Sequence, residues 1–143
     1  GRGQVKKICL EEKTLTIIDE SYNSNPESLN FAIKNLENFT SSCRRICIIG
    51  DMLELGQFSE SYHKNVVNTI LEVGPEIIIT VGNHSKLIFE NLPKDFKKFH
   101  YSDYRKVLNK LLRIVKNKDI IMIKGSNSIN LHLIVKKLNK LGK

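Results

Sequence analysis

No apolar run in this sequence reaches the roughly 20 residues that a membrane-spanning helix requires, and the opening residues lack the basic-then-apolar pattern of a signal peptide. A soluble protein with no membrane span is expected. Cysteine is scarce and odd in number: Cys9, Cys43 and Cys47. Cys9 and Cys47 fall inside β-like runs, where a thiol behaves as a small hydrophobe, so a disulfide framework is excluded and a reducing cytoplasm fits. His63, His84, His100 and His132 lack metal-ligand spacing, and Cys43 with Cys47 has no second pair to complete a zinc site, so no metal ligands are assigned. The usual nucleotide fingerprints are missing as well. No strand runs into a glycine triplet at dinucleotide spacing and no glycine-rich loop ends in Lys-Ser or Lys-Thr, which excludes an autonomous NAD enzyme or ATPase.

What is present describes an ordinary globular core. At 143 residues, 41% hydrophobic and 27% charged, the chain is long enough to bury one core without staples. The net charge of +8 invites a nucleic-acid reading. The lysines, however, are scattered along the sequence rather than gathered with aromatics, so nucleic acid is not expected as a partner. A phosphate-bearing small substrate would use the same positive field. Gly1-Arg2-Gly3 opens the chain without an initiator methionine, which suggests a piece of a longer protein.

Apolar runs alternate with helical patterns from end to end. Residues 5–10 and 14–18 read as a hairpin around Glu11-Glu12-Lys13. Residues 46–49, 77–81 and 120–123 are continuous apolar runs of buried-strand type, and 96–101 is a weaker one. Between them lie amphipathic stripes: Leu29, Ala32, Ile33 and Leu36; Tyr62, Val66, Val67, Ile70 and Leu71; a short segment from 85 to 90; Val107, Leu108, Leu111, Leu112 and Val115; and Leu131, Ile134, Val135 and Leu138. Asn25, Ser59, Asp103 or Ser102, and Ser128 are the candidate caps, and Gly74-Pro75 a stop. Strands alternating with helices predict an α/β fold, a Rossmann-like three-layer α/β/α domain whose sheet is mostly parallel, with an antiparallel edge strand at 5–10.

In such a sheet ligands sit at the carboxyl ends of the strands. The first of these ends is Asp19-Glu20-Ser21-Tyr22-Asn23-Ser24-Asn25-Pro26, with two acids, a phenol, two carboxamides and hydroxyls, a set that suits a nucleoside and equally makes good turns. The second is Gly50-Asp51-Met52-Leu53-Glu54-Leu55-Gly56, followed by His63. Here the glycines allow unusual backbone angles, and the acids read first as braces of a shaped turn. His63 reads first as a satisfied, partly buried histidine. Lys124-Gly125-Ser126 opens a helix, as an anion site or an ordinary strand-to-helix turn.

Gly1-Arg2-Gly3, the Asp19 to Pro26 segment, the Gly50 to Gly56 segment with His63, and Lys124-Gly125-Ser126, in that order, resemble the third, C-terminal domain of the Mur ligase family. The resemblance is nearest to the branch that adds D-alanyl-D-alanine to UDP-N-acetylmuramoyl-tripeptide in bacterial peptidoglycan synthesis. It implies an ATP-dependent, magnesium-requiring ligase in which ATP activates a carboxylate as an acyl phosphate, an amine attacks it, and the C-terminal domain closes over a central one. Residues 1–143 would then be that closing domain alone, inactive by itself, with ATP and Mg2+ held mainly by the central domain. Carried over residue by residue, Arg2 matches the hinge arginine that reaches the phosphates, and Glu20 the acid that holds the ribose, commonly Asp in the family. Tyr22, Asn23 and Asn25 match the adjoining nucleotide loop, and Lys124 and Ser126 the segment near the incoming amino substrate. None of the chain's residues is assigned a catalytic role. Asn127 and His132 stand where the family usually has Arg and Glu. The alternatives are a domain of another Mur-type or folylpolyglutamate-type ligase, and a non-catalytic basic Rossmann-like binding module.

Overall fold

Each apolar run becomes a strand in the computed structural model, which describes residues 3–39 and 42–142. In chain order these are β1 (Gln4–Leu10), β2 (Lys13–Glu20), β3 (Arg45–Gly50), β4 (Ile77–Val81), β5 (Lys98–Tyr101) and β6 (Ile120–Lys124). The helices are α1 (Pro26–Asn35), α2 (Ser59–Val73), α3 (Lys86–Asn91), α4 (Arg105–Ile114) and α5 (His132–Leu141). The sheet runs β1-β2-β6-β3-β4-β5, antiparallel between β1 and β2 and parallel elsewhere. This is the expected mixed α/β sheet, with helices on both faces.

Residues 46–49, 77–79 and 120–123 of the central strands are apolar at every position because both faces are covered. Leu15, Ile17, Ile48, Ile79 and Ile121 meet α4 and α5, through Val107, Leu111, Ile134 and Leu138. Their alternate neighbours Ile18, Cys47, Ile49, Ile78 and Met122 meet α1, α2 and α3, through Leu29, Ile33, Val66, Ile70 and Ile88. Burial pushes the Cys47 thiol up to about 12, so it stays protonated and serves only as packing.

Local signals explain most boundaries. Pro26 sits in the first turn of α1 behind Asn25, whose side chain accepts from Ser28 N, while Ser28 Oγ accepts from Asn25 N, a reciprocal cap. Gly74 closes α2 in the left-handed region at φ 71°. The hairpin turn is tighter than expected, with Glu11 and Glu12 at φ 46° and 68° and Lys13 already in β2. Three expectations fail. Ser59 lies inside α2 and Ser128 inside a separate 3₁₀ turn (Asn127–Ile129), so neither caps a helix. Tyr62 and Leu71 are exposed, because the buried stripe of α2 runs one position over, through His63, Val66, Val67, Ile70 and Val73. Asp103 does act at the start of α4, where its carboxylate accepts from Arg105 N at 2.8 Å.

The parallel register puts Glu20 beside Lys124, Ile49 on the other side of Lys124, and Gly50 beside Val81, so four strand ends form one continuous edge. Gly50 is needed there for space rather than for its backbone angle: a Cβ would lie 2.9 Å from Ile129 and from Leu131. Gly82, just past β4, is constrained twice, by φ of +108° and by the Asp51 carboxylate 2.6 Å from where a Cβ would stand. Gly82→Ala is therefore expected to cost about 3 kcal/mol in urea unfolding, from strain and displacement of a buried carboxylate. Gly56→Ala, at φ +59° in open space, should cost only about 1 kcal/mol.

Candidate functional site

The site grows from the end of β2. Asp19 Oδ1 accepts both from Ser21 N, at 3.0 Å, and from the Ser21 hydroxyl, which folds the chain sharply off the strand. Asn23 then closes on its neighbour, its Oδ1 accepting from Ser24 N at 2.9 Å, before Asn25 caps α1. Lys124, at the end of the adjacent β6, is only 4% exposed and donates from Nζ to Asn23 O at 2.8 Å. A buried cation thus ties the loop after β2 to the end of β6.

These residues wall an open cleft of about 580 Å³, lined by Gly3, Glu20, Asn23, Asn25, Ser28, Phe31, Asn35 and Lys124. Four of the seven residues singled out from the sequence, Glu20, Asn23, Asn25 and Lys124, come together in it. Tyr22 belongs to the same loop but stands outside the lining, mostly exposed. Ser126 is buried elsewhere, its hydroxyl accepting from Leu53 N at 2.8 Å. Arg2 lies outside the described residues.

The sequence reading missed Ser28, Phe31 and Asn35. They recur three and four residues apart, so they share a face of α1 distinct from the buried Leu29, Ala32, Ile33 and Leu36. The available signal was Phe31, an aromatic off the buried stripe; it is 70% exposed. Asn35 is oriented, since its Oδ1 accepts from Asn38 Nδ2 at 2.7 Å. The cleft thus offers a carboxylate, carboxamides, a hydroxyl, an ammonium and an aromatic ring, which suits a ligand with hydroxyls and a flat ring.

The second loop is built to brace. Asp51 Oδ1 accepts from Ser85 N at 2.7 Å, Asp51 O accepts from Ser126 N at 3.0 Å, and Met52 N donates to His63 Nε2 at 3.1 Å. His63 Nδ1 lies 2.7 Å from Ser59 O, which fixes that nitrogen as the donor and the ring as neutral. Burial holds the His63 pKa below its ordinary value, against the upward pull of the Ser59 carbonyl and the Asp51 charge. The structure gives Asp51 and His63 structural work, and Glu54 takes a left-handed angle, φ 63°, within the same turn. Among the described residues no group of three or more His, Cys, Asp or Glu could hold a metal ion. None of the described helices is long and apolar enough to cross a membrane.

Residues 1–127 match the model of the Mur ligase, glutamate ligase domain family. The chain belongs to that family. It is 38% identical over 138 residues to the UDP-N-acetylmuramoyl-tripeptide--D-alanyl-D-alanine ligase of Buchnera aphidicola subsp. Baizongia pistaciae, covering 94% of this chain and 28% of that one. To the ligase of the same name from Bacillus subtilis it is 32% identical over 139 residues, covering 95% and 30%. The chain therefore spans about three-tenths of the length of the curated relatives it matches. Among solved structures, MurF ligase from Thermotoga maritima in complex with ADP superposes with a TM-score of 0.80 at 23% identity, covering 99% of this chain and 31% of that one. At that identity the likeness bears on the fold, which the Mur ligase family shares with this chain.

The buried neutral imidazole has a consequence for stability. With a folded pKa below the unfolded one, the unfolded chain binds the proton more readily, so the His63 contribution is complete above about pH 6.5 and is lost as pH falls through the folded value. His100, also lowered chiefly by burial, adds in the same direction. Urea unfolding from pH 7.5 down to 5 should show falling stability, and His63→Gln should make that slope shallower without abolishing it, since His100 contributes in the same direction. A slope unchanged by the substitution would contradict the neutral, doubly bonded ring.

Proposed function

We propose that this chain is the C-terminal domain of an ATP-dependent ligase that adds D-alanyl-D-alanine to UDP-N-acetylmuramoyl-tripeptide, a cytoplasmic step of bacterial peptidoglycan synthesis. One observation carries the reading: Glu20 and Lys124 end adjacent strands of a Mur ligase family sheet and line one cleft with Asn23 and Asn25. The curated relatives bearing that ligase name align with nearly the whole chain and support the choice of branch.

The residues present fit the nucleoside end of ATP. Glu20, at the mouth of the cleft beside Gly3, accepts hydrogen bonds from vicinal hydroxyls, as a ribose presents. Asn23 and Asn25 border the same space, but Asn25 Oδ1 is engaged in the cap, which leaves its amide NH2 to face a ligand. Tyr22 stands beside this loop, where an aromatic ring adds contact area. Lys124 links the nucleotide loop to the corner containing Ser126, which we assign to the incoming amino substrate. When bound, ATP supplies the phosphoryl group that activates a carboxylate; this domain's part is to orient the nucleoside and exclude water on closure. Mg2+ finds no three-ligand cluster among the described residues and is assigned to the rest of the ligase.

In the full-length ligase, Glu20→Ala should raise the KM for ATP roughly tenfold, the worth of a charge-assisted hydrogen bond, with kcat and folding largely retained. An unchanged KM would return Glu20 to turn formation. The 143-residue chain on its own should show no ligation above a blank, and measurable turnover would overturn its assignment as a partial unit.

A further inference from the structure

The basic residues that look scattered in the sequence are gathered by the fold. α4 and α5 lie together over one face of the sheet and carry Arg105, Lys106, Lys110, Arg113, Lys136, Lys137 and Lys140, with no acid on either helix. The layer on the opposite face, α1 with α2 and α3, carries Lys34, Lys64 and Lys86 against Glu27, Glu60, Glu72 and Glu90. The helices of one layer are therefore strongly basic and those of the other nearly balanced. Acids near the basic layer are at its margins or already engaged: Asp103 pairs with Arg105, Asp119 is buried against Arg44, and Glu11 stands at the far rim beside Leu141. Lys106 and Lys110, and Lys136 and Lys140, are like charges one helical turn apart, a repulsion that a polyanion would relieve.

We propose that the α4–α5 face is a docking surface for an anionic phospholipid bilayer. Two helices laid side by side over a sheet present their long sides, a broad face rather than a groove or a projecting helix end. Neither helix carries a Phe, Tyr or Trp on which a base could stack, as single-strand nucleic-acid surfaces use, and the one imidazole, His132, is half-buried at the start of α5. At the end of α5, Leu141 is 54% exposed beside half-buried Leu112, an apolar rim suited to the headgroup boundary. The geometry leaves the cleft accessible, since its helical wall, Ser28, Phe31 and Asn35, belongs to α1 on the opposite layer. The inference stands apart from the ligase reading, because it uses none of the cleft residues.

The test is co-sedimentation of the 143-residue chain with vesicles of phosphatidylglycerol and phosphatidylcholine against vesicles of phosphatidylcholine alone. Binding should require phosphatidylglycerol and fall steeply as salt is raised. The quadruple variant Lys106→Gln, Arg113→Gln, Lys136→Gln, Lys140→Gln keeps Lys110, whose ammonium covers Phe99 at 4.1 Å. It should bind on the order of 100- to 1,000-fold more weakly, with an unchanged circular dichroism spectrum. The comparison variant Lys34→Gln, Lys64→Gln, Lys86→Gln, which removes all three lysines of the helices on the other layer, should bind within a few-fold of the parent. Three results would overturn the proposal: no preference for phosphatidylglycerol, equal losses in the two variants, or a duplex oligonucleotide that displaces the chain from vesicles at equal phosphate. The last would make the face a nucleic-acid surface.

Discussion

The edge formed by the strand ends hangs from three consecutive residues, Asp51, Met52 and Leu53. Their hydrogen bonds reach three other parts of the chain: Asp51 to Ser85 beyond β4 and to Ser126 beyond β6, Met52 to His63 in α2, and Leu53 to the Ser126 hydroxyl. A loop that left β3 without these partners would expose its amides inside a packed edge, at a cost of about 1–3 kcal/mol for each one unmade. Satisfied, it sets the ends of β4 and β6 relative to β3. Lys124 then carries that order one strand further, to Asn23 and the cleft. The cleft does not touch the Asp51 loop, yet its shape depends on it.

This division of labour separates the polar residues of the edge. Asp51, His63 and Ser126 are buried and bonded within the protein, and their chemistry is spent on geometry. Glu20, Asn23 and Asn25 face open space. Asn25 is both: its side-chain oxygen starts α1, so removing it would loosen the very helix that supplies Ser28, Phe31 and Asn35 to the cleft. Glu20 reaches one methylene further than an Asp would from the same strand end. Gly3 lies against it, with a Cβ position 3.5 Å from Glu20 Oε1, so the segment leading into β1 helps to place that longer acid.

Periodicity made the architecture legible, because strands buried on both faces read as unbroken apolar runs and nothing else in the chain does. The cleft was legible in half: the polar loop after β2 and the lysine ending β6 are local signals, and the parallel topology alone brings them together. Its other wall was not, since Ser28, Phe31 and Asn35 carry no motif and stand out only once the inward face of α1 is known. Hydroxyl caps were the weakest signal. Ser59 stands one residue too late, as the first residue of α2, and Ser128 about one turn too early, so Phe58 and Leu131 start the helices without side-chain caps. Charge was legible only as a total: the basic residues of α4 and α5 lie in separate segments of the sequence and share one layer only once the helices pack on the sheet.

The central claim is that the edge formed by β2 and β6 receives a nucleoside. Titrating ATP into the isotopically labelled chain and following its backbone amides by NMR tests this directly. The account predicts shifts concentrated at Glu20, Tyr22, Asn23, Asn25 and Lys124. Saturation should come only at millimolar concentration, because a few water-facing hydrogen bonds of about 1 kcal/mol each give no more. Shifts confined to α4 and α5, or none at several millimolar ATP, would contradict it.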